Sequence, residues 1–274
     1  MKLKAQQAIG IFDSGIGGLT VAHAISQLLP HENLVYYGDT AHLPYGDKSA
    51  EAVRQFSLGI TKFLEEQQCK MVVVACNTAS AAAFEALQAE FGERLLLINV
   101  IDPMVDYVQE HYPTSKIGII ATKGTVNARV YPRKLSQKDV TDVHALATPL
   151  LVHLIEEGFS KHPGAKLVVE EYLNQTPLKD IAVLILACTH YPIIKGYIED
   201  FYNKKVDVLD STLITAEAVK HALIAHNLIN PQEQPGHHQF YVSDFTSAFE
   251  QITKLFWGEA VALQKNNIWE KENI

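Results

Sequence analysis

At 274 residues, 47% of them hydrophobic and 20% charged, the chain can fill two modest cores and is too apolar to be disordered. Its net charge of −8, with no basic run, argues against a nucleic-acid partner. Residues 1–7 are polar and the next apolar run stops at Asp13, which fits neither an export signal nor a membrane span; a cytoplasmic location follows, with three reduced cysteines and no C-x-x-C pair for structural zinc.

From the N-terminus, apolar runs alternate with helical patterns. A strand over 8–13 leads into Asp13-Ser14-Gly15-Ile16-Gly17-Gly18 and a helix over 20–29. Thr20 stands where the third glycine of a dinucleotide fingerprint belongs, so a nucleotide is discounted and the glycines read as relief of backbone strain. Asp13 and Ser14 at the strand edge are not explained that way. Amides at a helix start can hold a carboxylate, and Asp13 can hold an ammonium group or orient a base.

The second strand, 34–39, ends in Gly38-Asp39. In the following loop Pro44-Tyr45-Gly46 is open to two readings, turn chemistry or ligand contact. After a helix over 49–67, Cys69 sits in a connection without polar company and reads as structural. A strand over 71–76 then delivers Cys76-Asn77-Thr78 to the start of a helix over 78–91. That position is expected to lower the Cys76 pKa. Asn77 and Thr78 either cap the helix or donate to a ligand. A strand over 95–100 and a helix over 104–111 follow.

The pattern then repeats. A strand over 116–122 ends at Thr122-Lys123-Gly124-Thr125, where Thr122 either grips a carboxylate or caps a helix over 125–136. Next come a strand over 140–145, a helix over 149–157 whose Glu156 reads as a solvated helix end, and a helix over 166–174. A strand over 183–188 ends in Cys188-Thr189-His190-Tyr191-Pro192, with Pro192 in the first turn of a helix over 192–202. His190, two residues from Cys188, can tune the thiol or serve a proton transfer. A strand over 206–209, a helix over 214–227, a loop over 230–238, a strand over 239–242 and a helix over 246–257 complete the chain. The histidines His23, His31, His111, His144, His221, His226, His237 and His238 show no ligand spacing, and no metal is expected.

Strand–helix alternation argues for parallel sheets. The matched Ala75-Cys76 and Ala187-Cys188 ends argue for a duplication. The expected fold is α/β: two similar parallel-sheet domains with helices on both faces, pseudo-symmetric, with the active site in the cleft between them. Two thiols facing one ligand from opposite sides could remove and return a proton, as inversion of a carbon centre requires.

Together these segments resemble the glutamate racemases of bacterial cell-wall synthesis. The resemblance is carried by Phe12-Asp13-Ser14-Gly15, Tyr37-Gly38-Asp39, Pro44-Tyr45-Gly46, Ala75-Cys76-Asn77-Thr78-Ala79-Ser80, Ala121-Thr122-x-Gly124-Thr125-Val126 and Cys188-Thr189-His190-Tyr191-Pro192. It implies residues 1–100 plus 211–274 as a first domain and 101–210 as a second. It implies cofactor-independent interconversion of L- and D-glutamate, supplying D-glutamate for peptidoglycan. Cys76 would deprotonate D-glutamate and Cys188 L-glutamate, assisted by Asp13 and His190 on opposite sides. Ser14, Pro44, Tyr45, Gly46, Asn77, Thr78, Thr122 and Thr189 would line the substrate. Around Glu156 the chain departs from the family pattern, His153 standing for a proline, and no role is assigned to Glu156 there. Glutamate is the expected partner, without nucleic acid or membrane; oligomeric state is open, a homodimer included.

Three other readings stand beside this one. An aspartate or hydantoin racemase of the same superfamily differs at the His190 position, where relatives often carry an acidic residue. A non-catalytic amino-acid binder would not need matched thiols. A thiol hydrolase using Cys188 and His190 would leave Cys76 without a purpose.

Overall fold

The computed structural model of the protein describes residues 3–245 and 247–272. Short apolar segments make the strands. β1 (Ile9–Asp13), β2 (Leu34–Gly38) and β3 (Met71–Val74) are buried throughout, and β4 (Leu96–Asn99) lies at a sheet edge. β5 (Ile117–Ala121), β6 (Val143–Ala147), β7 (Val183–Ala187) and β8 (Asp207–Asp210) form the second sheet. β9 (His238–Val242) and β10 (Leu263–Lys265) return to the first.

The strand orders are β10-β9-β2-β1-β3-β4 and β6-β5-β7-β8, and every pairing is parallel. Parallel strands covered on both faces must be apolar, as β3, β5 and β7 are throughout and β1 is up to its last residue, Asp13. The order β2-β1-β3-β4 recurs as β6-β5-β7-β8, so the two α/β domains are copies of one topology, the first extended by β9 and β10. Each copy reverses direction between its first and third strands, where open α/β sheets bind ligands at the carboxyl edge. Asp13 ends β1 and Cys76 follows β3. In the second domain Thr122 follows β5 and Cys188 follows β7.

The helices are α1 (Leu19–Leu28), α2 (Ala50–Glu66), α3 (Asn77–Phe91), α4 (Ile101–His111), α5 (Lys123–Ala128), α6 (Val130–Ser136), α7 (Pro149–Glu156), α8 (Pro163–Leu173), α9 (Lys195–Phe201), α10 (Ser211–Ala225) and α11 (Ser247–Trp257). Strand alternation divides the core of the first domain. Ile9, Ile11, Met71 and Val73 join a cluster that continues into the second domain; Phe12, Val72 and Val74 join one behind the sheet with α2 and α3. Asp13 has the parity of Ile9 and Ile11, which turns it toward the second domain.

Local departures from the sequence reading have local causes. The helix expected over 125–136 breaks at Arg129, whose φ of 52° is left-handed, giving α5 and α6. Residues 140–142, expected in a strand, instead complete the turn after α6: Asp139 has φ 64° and the Val140 amide donates to the Leu135 carbonyl at 3.0 Å, so β6 begins at Val143. The helix expected from Pro192 opens as a 3-10 turn, Tyr191–Ile194, before α9. β10 is a three-residue edge strand with no alternation to announce it. The expected start of the last helix, Thr246, lies outside the described residues.

Candidate active site

The carboxyl edges of the two sheets face each other across one small cavity. Ser14, Pro44, Tyr45, Gly46, Cys76, Asn77 and Thr78 line it from the first domain, and Thr122, Val152, Ala187, Cys188, Thr189 and His190 from the second. Of the residues expected to catalyse the reaction or line the substrate, Asp13 alone is not in its wall; it lies fully buried behind it. The cavity has about 30 Å³ of water-sized space, room for very few waters.

Cys76 is the N-cap of α3, its Sγ accepting from the Ala79 amide at 3.4 Å. Capping was expected of Asn77 or Thr78; the thiol takes that place because residue 76 is the last with extended φ/ψ, while Asn77 already belongs to the helix. Nor is the thiol pKa lowered. Burial and the Asp13 charge outweigh the helix amide and the Ser14 hydroxyl, and push Cys76 up to about 12. Cys69, packed beneath Gly10, is likewise pushed up to about 12 by burial.

The amides of the glycine turn are engaged. Gly15 and Gly18 donate to Asp13 Oδ2 at 3.2 and 3.0 Å, so they hold a carboxylate of the chain itself. Burial nevertheless keeps Asp13 above its ordinary range, against His190 and the turn amides, which pull it down. Thr189 Oγ1 lies 3.5 Å from Asp13 Oδ1 and links the domains. The turn glycines also admit the opposite domain. A Cβ built on Gly17 would stand 2.5 Å from His190 Nδ1 and 2.6 Å from Thr189 Oγ1. Gly46 meets Thr122 in the same way, with 2.7 Å to its Cβ.

His190 Nδ1 lies 3.8 Å from Cys188 Sγ, and its Nε2 is 2.9 Å from Glu156 Oε1. Burial alone would lower the histidine pKa. Hydrogen bonds and charges from Cys188 and Glu156 overcome this and hold it well above its ordinary value. Glu156 is therefore no solvated helix end: α7 brings its carboxylate to the Nε2 edge of the His190 ring. No local pattern signals this, since the two residues are far apart in the chain and Glu156 ends an otherwise apolar segment next to Glu157.

Hydroxyls and an amide complete the wall. Thr78 Oγ1 lies 2.9 Å from Thr122 Oγ1 and 3.3 Å from Thr125 Oγ1, and the last two are 3.1 Å apart, a triangle spanning the N-termini of α3 and α5. Thr122 is thus both a cap, accepting from the Thr125 amide, and part of the wall. Asn77 Oδ1 accepts from the Tyr131 hydroxyl at 2.8 Å, while its buried Nδ2 has no protein partner. A buried donor without a partner is costly unless a ligand satisfies it.

The sequence profile of the Asp/Glu/hydantoin racemases matches residues 18–219. The chain belongs to that racemase family. It is 38% identical over 258 residues to the glutamate racemase of Chlorobaculum parvum, across 94% of each chain. It is 39% identical to that of Neisseria meningitidis serogroup C, across 93% of this chain and 94% of the relative. A crystal structure of glutamate racemase from Francisella tularensis in complex with D-glutamate superposes with a TM-score of 0.90 at 34% identity, covering 97% of this chain and 99% of that one. An aspartate racemase from Picrophilus torridus shares the fold alone, with a TM-score of 0.56 at 20% identity.

Within this racemase family frame, the two thiols differ in their neighbours: a buried carboxylate near Cys76, an imidazole–carboxylate pair beside Cys188. Among the described residues no group of three or more His, Cys, Asp or Glu side chains is placed to hold a metal ion, and no helix is long and apolar enough to cross a membrane.

Proposed function

We propose that the protein interconverts L- and D-glutamate by moving the α-proton between two thiols, with Cys188 working on L-glutamate and Cys76 on D-glutamate. The observation that carries this reading is the placement of Cys76 and Cys188 at equivalent strand ends, both in the wall of one cavity.

The α-proton of an amino-acid carboxylate is very weakly acidic, so the developing carbanion needs fixed donors and little water around it. Asn77 Nδ2 and the hydroxyls of Ser14, Thr78, Thr122 and Thr189 supply donors toward the substrate carboxylates. In the L-to-D direction Cys188 takes the proton beside a positively charged His190, and Cys76, held as a thiol, gives its own to the opposite face. In the reverse direction Cys76 must first lose its proton. Asp13, whose burial makes it a stronger base than an ordinary carboxylate, is suited to receive it. The two thiols exchange acid and base roles between directions.

Domain seams at 100/101 and 210/211, a cytoplasmic location and use of the product in peptidoglycan belong to the same reading. Incubating pure protein with L-glutamate while following optical rotation tests it. Decay of rotation to zero is expected; unchanged rotation rejects the proposal.

A further inference from the structure

We infer that Trp269, in the C-terminal segment, is a positioning residue for the substrate cleft, holding the Tyr45 loop through a shared carboxylate, Asp39. The inference rests on the reading of the cavity as the glutamate site and adds a residue that lies outside it.

Trp269 sits in a 3-10 turn, Ile268–Glu272, just after β10. Its Nε1 donates to Asp39 Oδ1 at 3.0 Å. Asp39 is fully buried; the same Oδ1 accepts from the Ser243 hydroxyl at 2.8 Å, His42 Nδ1 lies 3.0 Å from the other oxygen, Oδ2, and Oδ2 accepts from the Tyr45 hydroxyl at 2.6 Å. Tyr45 is itself buried and lines the cleft. One carboxylate therefore joins the C-terminal turn to the cavity wall. A buried carboxyl group needs its hydrogen bonds complete, because each one lost leaves a desolvated polar atom unsatisfied. Without the indole, Ser243 and His42 still hold Asp39, but the tie from the C-terminal turn is lost and the carboxylate is freer to shift beneath the Tyr45 hydroxyl.

The indole also has a built seat. Its ring packs edge-on to Phe56 and His42, with centroids 5.6 and 5.2 Å away, and Phe56 in turn packs against Tyr45 at 5.6 Å. Gly59, inside α2, leaves room for it: a Cβ there would meet Trp269 Cζ3 at 2.8 Å. A glycine within a helix is destabilising relative to alanine, and the space it leaves is filled by the ring. Both polar and apolar contacts of Trp269 thus converge on the loop that carries Tyr45.

Two variants test this by different physics. W269F removes the donor and leaves a smaller ring that no longer reaches Gly59; G59A keeps the indole but crowds its seat. Each is expected to raise KM for both glutamate enantiomers by about tenfold, the equivalent of one lost buried hydrogen bond, with kcat within about twofold. Amide hydrogen exchange, measured without substrate, should quicken over residues 41–48 and stay unchanged in β1 and β3. Unchanged exchange over 41–48 overturns the inference. So does faster exchange there with KM unaltered, or a general loss of protection throughout the first domain, which marks a merely structural contact. If the wild-type protein fails to racemise glutamate, the functional reading falls, and the exchange measurement still decides whether Trp269 holds the loop.

Discussion

Cys76 and Cys188 are the same side chain in different company. Cys76→Ala and Cys188→Ala should each lower racemisation by at least about a thousandfold, since the proposed mechanism uses one as base and the other as acid in each direction. Cys69→Ala, in the core behind the sheet, should leave the rate nearly unchanged; its inactivation with Cys76→Ala active would reject the assignment. In heavy water, newly formed D-glutamate should carry deuterium at the α-carbon from the first turnover, because the delivered proton comes from the thiol that last exchanged with solvent. Mass spectrometry showing substantial α-protium in that product would eliminate opposed thiols. His190 holds its proton above the ordinary histidine range, so its charge is present at all lower pH and lost as pH rises through the raised value. Glu156→Gln removes a partner that raises it, and the alkaline limb of kcat/KM for L-glutamate should move to lower pH; a limb that stays put would contradict the pairing. These thiols and their neighbours were legible because motifs report residues adjacent in sequence. Glu156 and Trp269 were not, because each reaches the site through a contact made only by folding. The Cys76 pKa was misjudged for a related reason: a helix N-terminus is visible in sequence, whereas complete burial beside Asp13 is not.

Among the elements, the strand ends and the helix starts that follow them do most to shape the site. Their alternation was readable because apolar runs bounded by polar residues announce buried strands. Irregular pieces were not: α5 and α6 part at a single left-handed arginine, and β10 is too short for any period to show. The turn from β1 into α1 illustrates how an element meets its counterpart. Gly17 lacks a side chain where His190 and Thr189 arrive from the second domain. Gly17→Ala should therefore push the domains apart at the cavity, lowering kcat/KM by about a hundredfold or more, as misplacement by an ångström can, while far-ultraviolet circular dichroism stays that of the wild type. Full activity in that variant would show that the approach is looser than these distances imply.

Across the whole molecule, the chain leaves the first domain, builds the second and returns, so distant segments must be tied together. Lys70, fully buried at the foot of β3, does much of this: its Nζ lies 2.6 Å from Glu32 Oε2 and donates to the carbonyls of Ala5 and Leu228, while Glu32 Oε1 accepts from the Asn230 amide at 2.7 Å. Lys70→Met leaves a buried carboxylate unpaired and should cost about 3–5 kcal/mol of stability, much of it recovered when Glu32→Gln is added; chemical denaturation of the single and double variants measures both, and a double variant no better than the single would count against the pair. The cavity between the domains holds only about 30 Å³ of water-sized space, which keeps bulk water from the two thiols. The unlike neighbours of the two thiols have one more consequence. L- and D-glutamate are mirror images, equal in free energy in water, so the equilibrium constant of their interconversion is one. The Haldane relation then makes kcat/KM equal in the two directions, however lopsided the catalytic groups. The contrast between Asp13 on one side and His190 with Glu156 on the other can be expressed only in how each direction divides that common ratio between kcat and KM.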